Sequence, residues 1–164
     1  MPDVNIRYSM VKGTRLFDCV DKTPAANEVE HFLLASKKYH LPIPCGGWFY
    51  MLGHDEALLI KNLKITSTLG SKIHNIQLFS HNTSGKPISN QDVADFYEFA
   101  LKEGDKLSVD PCLEVHVNMW SEDFLRVSEV GQIVESMGLP FQITPTIATS
   151  FLKLIIPSNK KFLI

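Results

Sequence analysis

The side chains best suited to acid–base chemistry are His81 and the pair Glu114 and His116, two positions apart. An imidazole titrates near neutrality and a carboxylate accepts a proton from an amine or hydroxyl, so each qualifies as a general base. The competing reading for each is exposure at a strand edge or a satisfied histidine in the core. A second set, Ser84, Gly85, Lys86 and Ser89, precedes a strongly amphipathic segment. Backbone N–H groups at the start of a helix favour an anion, and Lys86 would add a counter-charge for a phosphate. The plainer alternative is a polar loop followed by a capped helix. Cys45, in Pro44-Cys45-Gly46-Gly47-Trp48, is the most accessible thiol by context, whereas Cys19 and Cys112 read as small apolar residues. The six histidines show no metal-ligand spacing and the three cysteines form no C-x-x-C pair, so no metal is expected.

These residues must be held by the stretch 73–144, which reads as strand, glycine-containing loop, helix, strand, helix, strand, a pattern of parallel strands joined by crossover helices. Residues 73–81 form the first of these strands. Ser89, with Asp92 three positions on, resembles a capping box ahead of the stripe Val93, Phe96, Tyr97, Ala100 and Leu101, and Gly104 is the expected stop. Residues 113–119 alternate apolar side chains with Glu114, His116 and Asn118, which predicts a strand with one polar-lined face. Ser121 is then expected to cap a helix carrying Val130, Ile133, Val134 and Met137, with strands at 141–144 and 151–156 to follow.

Upstream, the alternation Val4, Ile6, Tyr8, Met10 and the turn Lys12-Gly13 predict a β-hairpin. Thr23 and Pro24 open a helix with Val29, Phe32 and Leu33 inward, running to about Tyr39. The prolines and glycines of 41–47 read as a loop. Residues 48–52 and 57–66 are β in composition, and Gly53-His54-Asp55-Glu56 between them reads as a hairpin turn, which predicts three antiparallel strands in a row ending with 73–81. Trp48, Phe49 and Tyr50 suit a strand buried on both faces.

At 164 residues, 45% hydrophobic and 21% charged, the chain suits one globular domain over 1–164. A formal net charge of -2 with interspersed signs excludes a general nucleic-acid binder. The first residues lack a signal-peptide pattern and no apolar run reaches a membrane span, so a cytoplasmic protein with reduced thiols and no membrane partner is expected.

The full order ββ, α, βββ, α, β, α, ββ resembles the GNAT superfamily of N-acetyltransferases, with residues 84–89 and 96–104 resembling its cofactor loop and helix, and 113–118 and 135–139 resembling a later strand and helix end. The resemblance implies an α/β (α+β) fold: a mixed, mostly antiparallel sheet of about seven strands with three main helices. It implies transfer of an acyl group from acetyl-CoA or another acyl-CoA to a small-molecule or protein amine. Phe79, Ser84, Gly85, Lys86, Ser89 and Asn118 would then lie at the cofactor, and His81, Glu114 or His116 would serve as base. The glycines of that family's loop are represented here by Pro87 and Ser89, and Val134 stands where many members place a tyrosine acid. A non-catalytic interaction module (an inhibitor, immunity-type protein or adaptor) is therefore the alternative, with Phe162-Leu163-Ile164 as a surface for a protein partner or homodimer.

Overall fold

The computed structural model describes residues 26–145. In chain order these form α1 (Ala26–Tyr39), β1 (Gly46–Tyr50), α2 (Glu56–Thr68), β2 (Ile73–Leu78), α3 (Asn90–Asp105), β3 (Asp110–Val115), a 3-10 turn (Trp120–Glu122), α4 (Phe124–Ser136) and β4 (Ile143–Pro145). The predicted hairpin at 4–20, the Thr23-Pro24 cap, the strand at 151–156 and the C-terminal apolar tail lie outside the described residues.

The strands make one four-stranded sheet in the order β1-β2-β3-β4, and every neighbouring pair is parallel. This corrects the expected mostly antiparallel, seven-stranded architecture. Consecutive parallel strands require a crossover each, nearly always right-handed, and an order that never reverses sends every crossover over the same face. Accordingly Trp48, Tyr50, Ile76, Leu78, Leu113 and Val115 on that face share one buried core with Leu59 and Leu63 of α2, Val93, Phe96, Tyr97 and Ala100 of α3, and Val127, Val130 and Val134 of α4. Phe32 and Leu33 of α1 pack against the same core, and Val29 is buried in it, as their spacing predicts. The Tyr50 and Phe96 rings meet at 5.8 Å between centroids. The Tyr97 hydroxyl, itself donating to Pro111 O at 2.8 Å, also accepts from Gln142 N at 3.0 Å, which ties α3 to β3 and to the approach to β4.

Residues 57–66 form most of helix α2 and not the expected strand. The inward stripe of α2 is Leu59, Asn62, Leu63 and Thr66, a regular helical spacing, but two of its members are polar and so hide the apolar period. Residues 53–56 are consequently a strand-to-helix connection. Asp55, at the N-cap position, turns its carboxylate back to accept from Met51 N at 2.6 Å.

Asn62 and Thr66 are fully buried, and the sheet beneath them partners the Asn62 amide nitrogen and the Thr66 hydroxyl, while Asn62 Oδ1 has no hydrogen-bond partner among the described residues. Asn62 Nδ2 donates to the Tyr50 hydroxyl at 3.2 Å, that hydroxyl lies 2.7 Å from His74 Nε2, and His74 Nδ1 lies 2.7 Å from Thr66 Oγ1. With the Tyr50 proton on Nε2's side and the His74 proton on Nδ1, the groups form one directional chain of donors into acceptors. Burial holds His74 neutral by pushing its pKa down from 6.5 to about 3, and burial likewise pushes the Tyr50 hydroxyl far above its ordinary value.

Gly46 and Gly47 belong to β1 rather than to the preceding loop. A Cβ at Gly46 would lie 2.0 Å from Thr66 Oγ1 and 3.1 Å from His74 Nδ1, so the absence of a side chain there lets α2 approach the sheet. Gly104 has a comparable reason. It is buried inside α3, which continues to Asp105, and a Cβ there would lie 2.3 Å from Val109 O, so it marks a close approach and not the expected stop. Asp123 rather than Ser121 caps α4, accepting from Leu125 N at 3.0 Å, while Ser121 sits in the 3-10 turn. Among the described residues no helix is long and apolar enough to cross a membrane.

Gly46→Ala is expected to lower the free energy of unfolding by about 2 kcal/mol or more, because the added methyl meets the buried Thr66–His74 pair; chemical denaturation measures it. The same cluster predicts a pH dependence. Unfolded His74 takes up its proton near pH 6.5 and folded His74 near pH 3, so its stabilisation is complete above about pH 6.5 and is lost as the pH falls through that window. The contribution of this single group is a slope of about 1.4 kcal/mol per pH unit, and urea midpoints for His74→Gln should lack it.

Candidate functional site

Because the strands are all parallel, their carboxyl ends leave the sheet on one edge, the position where α/β proteins place their ligand sites. The chain emerges there as residues 51–55 after β1, 79–81 after β2 and 116–119 after β3. The face away from α2, α3 and α4 carries the opposite alternation: Phe49 of β1, Asn75 and Gln77 of β2, Glu114 of β3 and Thr144 of β4, all partly exposed.

Two polar pairs organise this face. Gln77 Nε2 donates to Glu114 Oε2 at 2.5 Å, and the Thr144 hydroxyl donates to Asn75 Oδ1 at 2.9 Å. The first pair lies toward the carboxyl ends, beside the Phe49 and Phe79 rings, whose centroids are 6.2 Å apart. Among the described residues Glu114 Oε1 has no hydrogen-bond partner, and Gln77 Oε1 is buried without one. Sequence reasoning found Glu114 and Phe79 but missed Gln77 and Phe49. Gln77 is one of several polar residues in β2 and Phe49 stands in an aromatic run, so neither is marked out in its own strand, and only the parallel pairing sets them beside Glu114.

His116 follows at the end of β3, half-buried. Its Nδ1 is 2.7 Å from Val117 O, which can only accept, so Nδ1 carries a proton and the neutral ring has its acceptor at Nε2. Ser121 Oγ donates to Glu114 O at 2.7 Å and accepts from His116 N at 3.1 Å, which fixes the end of β3. Asn118, expected at the cofactor, takes a left-handed conformation (φ 60) in this exposed turn, with its N–H donating to Glu122 Oε2 at 2.8 Å. His81 is exposed and forms an isolated antiparallel bridge with Pro87 at the base of the next loop. Of the three expected bases, Glu114 and His116 therefore share the end of one strand, and His81 stands on the loop beside it.

The expected phosphate loop is occupied from within. Asn82 Oδ1 accepts from Ser84 N at 3.1 Å, Ser84 Oγ at 2.7 Å and Lys86 N at 3.1 Å. Ser89 N donates to Asp92 Oδ2 at 2.7 Å and Asp92 N donates to Ser89 Oγ at 3.1 Å, the capping box its sequence predicts. The Ser89 hydroxyl and then its backbone N–H hold the Asp92 carboxyl below its usual range, so a carboxylate already stands at the helix N-terminus. The adjoining cleft, about 350 Å3, is lined by Glu56, Asp92 and Asp95 as well as Phe96 and Phe99, a charge balance that opposes a diphosphate. Gly85 (φ 74) makes the turn of the loop and offers nothing further. Cys45 lies half-buried with its Sγ 3.8 Å from Asn75 Nδ2, and Cys112 is buried with its thiol pushed up by burial. Among the described residues no group of three or more His, Cys, Asp or Glu side chains is placed to hold a metal.

Fold and site together define an α/β protein with a parallel sheet, the crossover helices α2, α3 and α4 over one face and a carboxylate–amide pair at the carboxyl edge of the other. No protein-family model matches the chain, and no curated protein is significantly similar to it.

Ser89→Ala should cost about 1 kcal/mol of stability by removing one half of the capping box, with an unchanged denaturant m-value as the sign that only the native state has changed.

Proposed function

We propose that the carboxyl edge of the sheet binds a small polar molecule on the face away from α2, α3 and α4, with Glu114 as the group that accepts its proton-bearing hydroxyl or amine. The observation that carries this reading is the Gln77–Glu114 pair. One carboxylate oxygen is held by an amide from the neighbouring strand, and the other has no partner among the described residues, at the end of a parallel sheet. A carboxylate oriented in this way is pre-set to receive a donor, and the Phe49 and Phe79 rings beside it offer an apolar surface for the rest of the ligand. His116, with Nε2 available, supplies a second proton acceptor on the same strand end.

Acyl transfer from acyl-CoA, the activity implied by the GNAT resemblance, loses two supports. The parallel sheet is not the architecture of that resemblance, and the N–H groups at Ser84, Lys86 and Ser89 already donate within the protein.

The test is a 1H–15N NMR titration with polyols, amino acids, short amines and acetyl-CoA, each to millimolar concentration. A ligand of this site should shift the backbone amides of Gln77, Glu114 and His116 and the Gln77 side-chain amide, and Glu114→Gln should weaken it on the order of tenfold. Shifts confined to 84–89 with acetyl-CoA would favour the acyl-CoA reading instead. Silence from every class would overturn the site.

A further inference from the structure

One residue contacts both the loop at 82–89 and the turn at 116–122 that follows Glu114 and His116, and it lies on neither of them. Arg126, in the first turn of α4, donates through one guanidinium nitrogen to Ile88 O at 2.7 Å and through Nε to Asn90 Oδ1 at 3.1 Å. Its guanidinium plane also lies 4.8 Å from the centroid of the Trp120 ring, which is buried in the 3-10 turn. Asn90 is held from its other end, its Nδ2 donating to Glu129 Oε2 at 2.6 Å one helical turn further along α4. From Trp120 the connection runs to its neighbour Ser121, whose hydroxyl holds both Glu114 O and His116 N. An arginine suits this position because a flat, forked cation can bond two acceptors and stack on a ring at the same time, which a lysine cannot do.

We infer that Arg126 is a positioning residue: it joins the loop at 82–89 to the turn at 116–122, so that the turn holding the end of the Glu114 strand and the loop leading into α3 are held, and open, as one unit. Its bearing on ligand binding rests on the reading of the Glu114 site, and it concerns how the turn beside that site is kept in register rather than which ligand enters. Without Arg126 the loop at 82–89 keeps its internal bonds to Asn82 but loses the bond from α4 to Ile88 O, leaving Asn90 held to Glu129, and the turn keeps its bond to Glu114 O but loses the cation over Trp120.

Amide hydrogen exchange by NMR tests this without a ligand. Reporters for the loop are Asn82 N, bonded to Lys86 O, and Ile88 N, bonded to Ser80 O; reporters for the turn are His116 N, bonded to Ser121 Oγ, and Glu122 N, bonded to Met119 O. In Arg126→Met both sets should exchange faster by a similar factor, on the order of tenfold, while Val109 N, bonded to Gly104 O at the far edge of the sheet, keeps its wild-type rate. Arg126→Lys should behave like the methionine variant, since charge alone does not restore the fork. Trp120→Phe, which leaves the bonds of Arg126 to Ile88 and Asn90 in place, should also speed exchange at Ile88. Faster exchange at 82 and 88 with no change at 116 and 122, or full rescue by lysine, would overturn the coupling. Failure of the ligand titration together with coupled exchange would reject the site reading and leave the coupling standing, so the two are separable.

Discussion

The docking of α2 on the sheet through Asn62, Thr66, Tyr50 and His74 is the interaction on which the rest of this structure depends. Polar side chains at the inward positions of a helix are costly unless each finds a partner, and here the partners come from two adjacent strands. An apolar interface would tolerate sliding of the helix, whereas four linked groups in a dry interior accept one position. Gly46 belongs to the same constraint, since the space its missing side chain leaves is where Thr66 and His74 meet. Once α2 is fixed over β1 and β2, the first crossover is set, and α3 and α4 continue the same winding over β2, β3 and β4.

That winding is what produces the site. The crossover helices on a single face bury Trp48, Tyr50, Ile76, Leu78, Leu113 and Val115, so the alternate side chains of the same strands face the other way. Buried parallel sheets normally carry apolar residues on both sides, and Asn75, Gln77, Glu114 and Thr144 depart from that pattern. Their pairing across strands satisfies part of their hydrogen-bonding capacity and leaves an oriented carboxylate oxygen at the carboxyl edge. Ser121 then fixes the end of that strand from the 3-10 turn, and Arg126 packs over the neighbouring Trp120 from α4.

Much of the local structure was legible beforehand. The first helix, the capping box at Ser89, the helix it starts and the alternation through 113–115 were each written in spacing and cap chemistry that act over a few residues. So was the succession of parallel strands within 73–144. The failure at 57–66 came from reading β-favouring composition where the period was helical but partly polar. That one misreading converted a crossover into a hairpin and a parallel sheet into a mostly antiparallel one. The resemblance to the GNAT superfamily depended on the same run of strands.

The sequence by itself determined the local signals: which segments are amphipathic, where helices are capped, and that Glu114 lies on the polar side of its strand. Only the tertiary structure decided that Asn62 and Thr66 are interior, because a polar residue belongs in a core only when a partner distant in sequence, here Tyr50 or His74, is brought to it. It likewise decided that the phosphate-loop residues spend their donors on Asn82 and Asp92, and that Gln77 stands beside Glu114. Both outcomes depend on strand register and on which face the crossovers cover, and those are properties of the assembled sheet that no single segment carries.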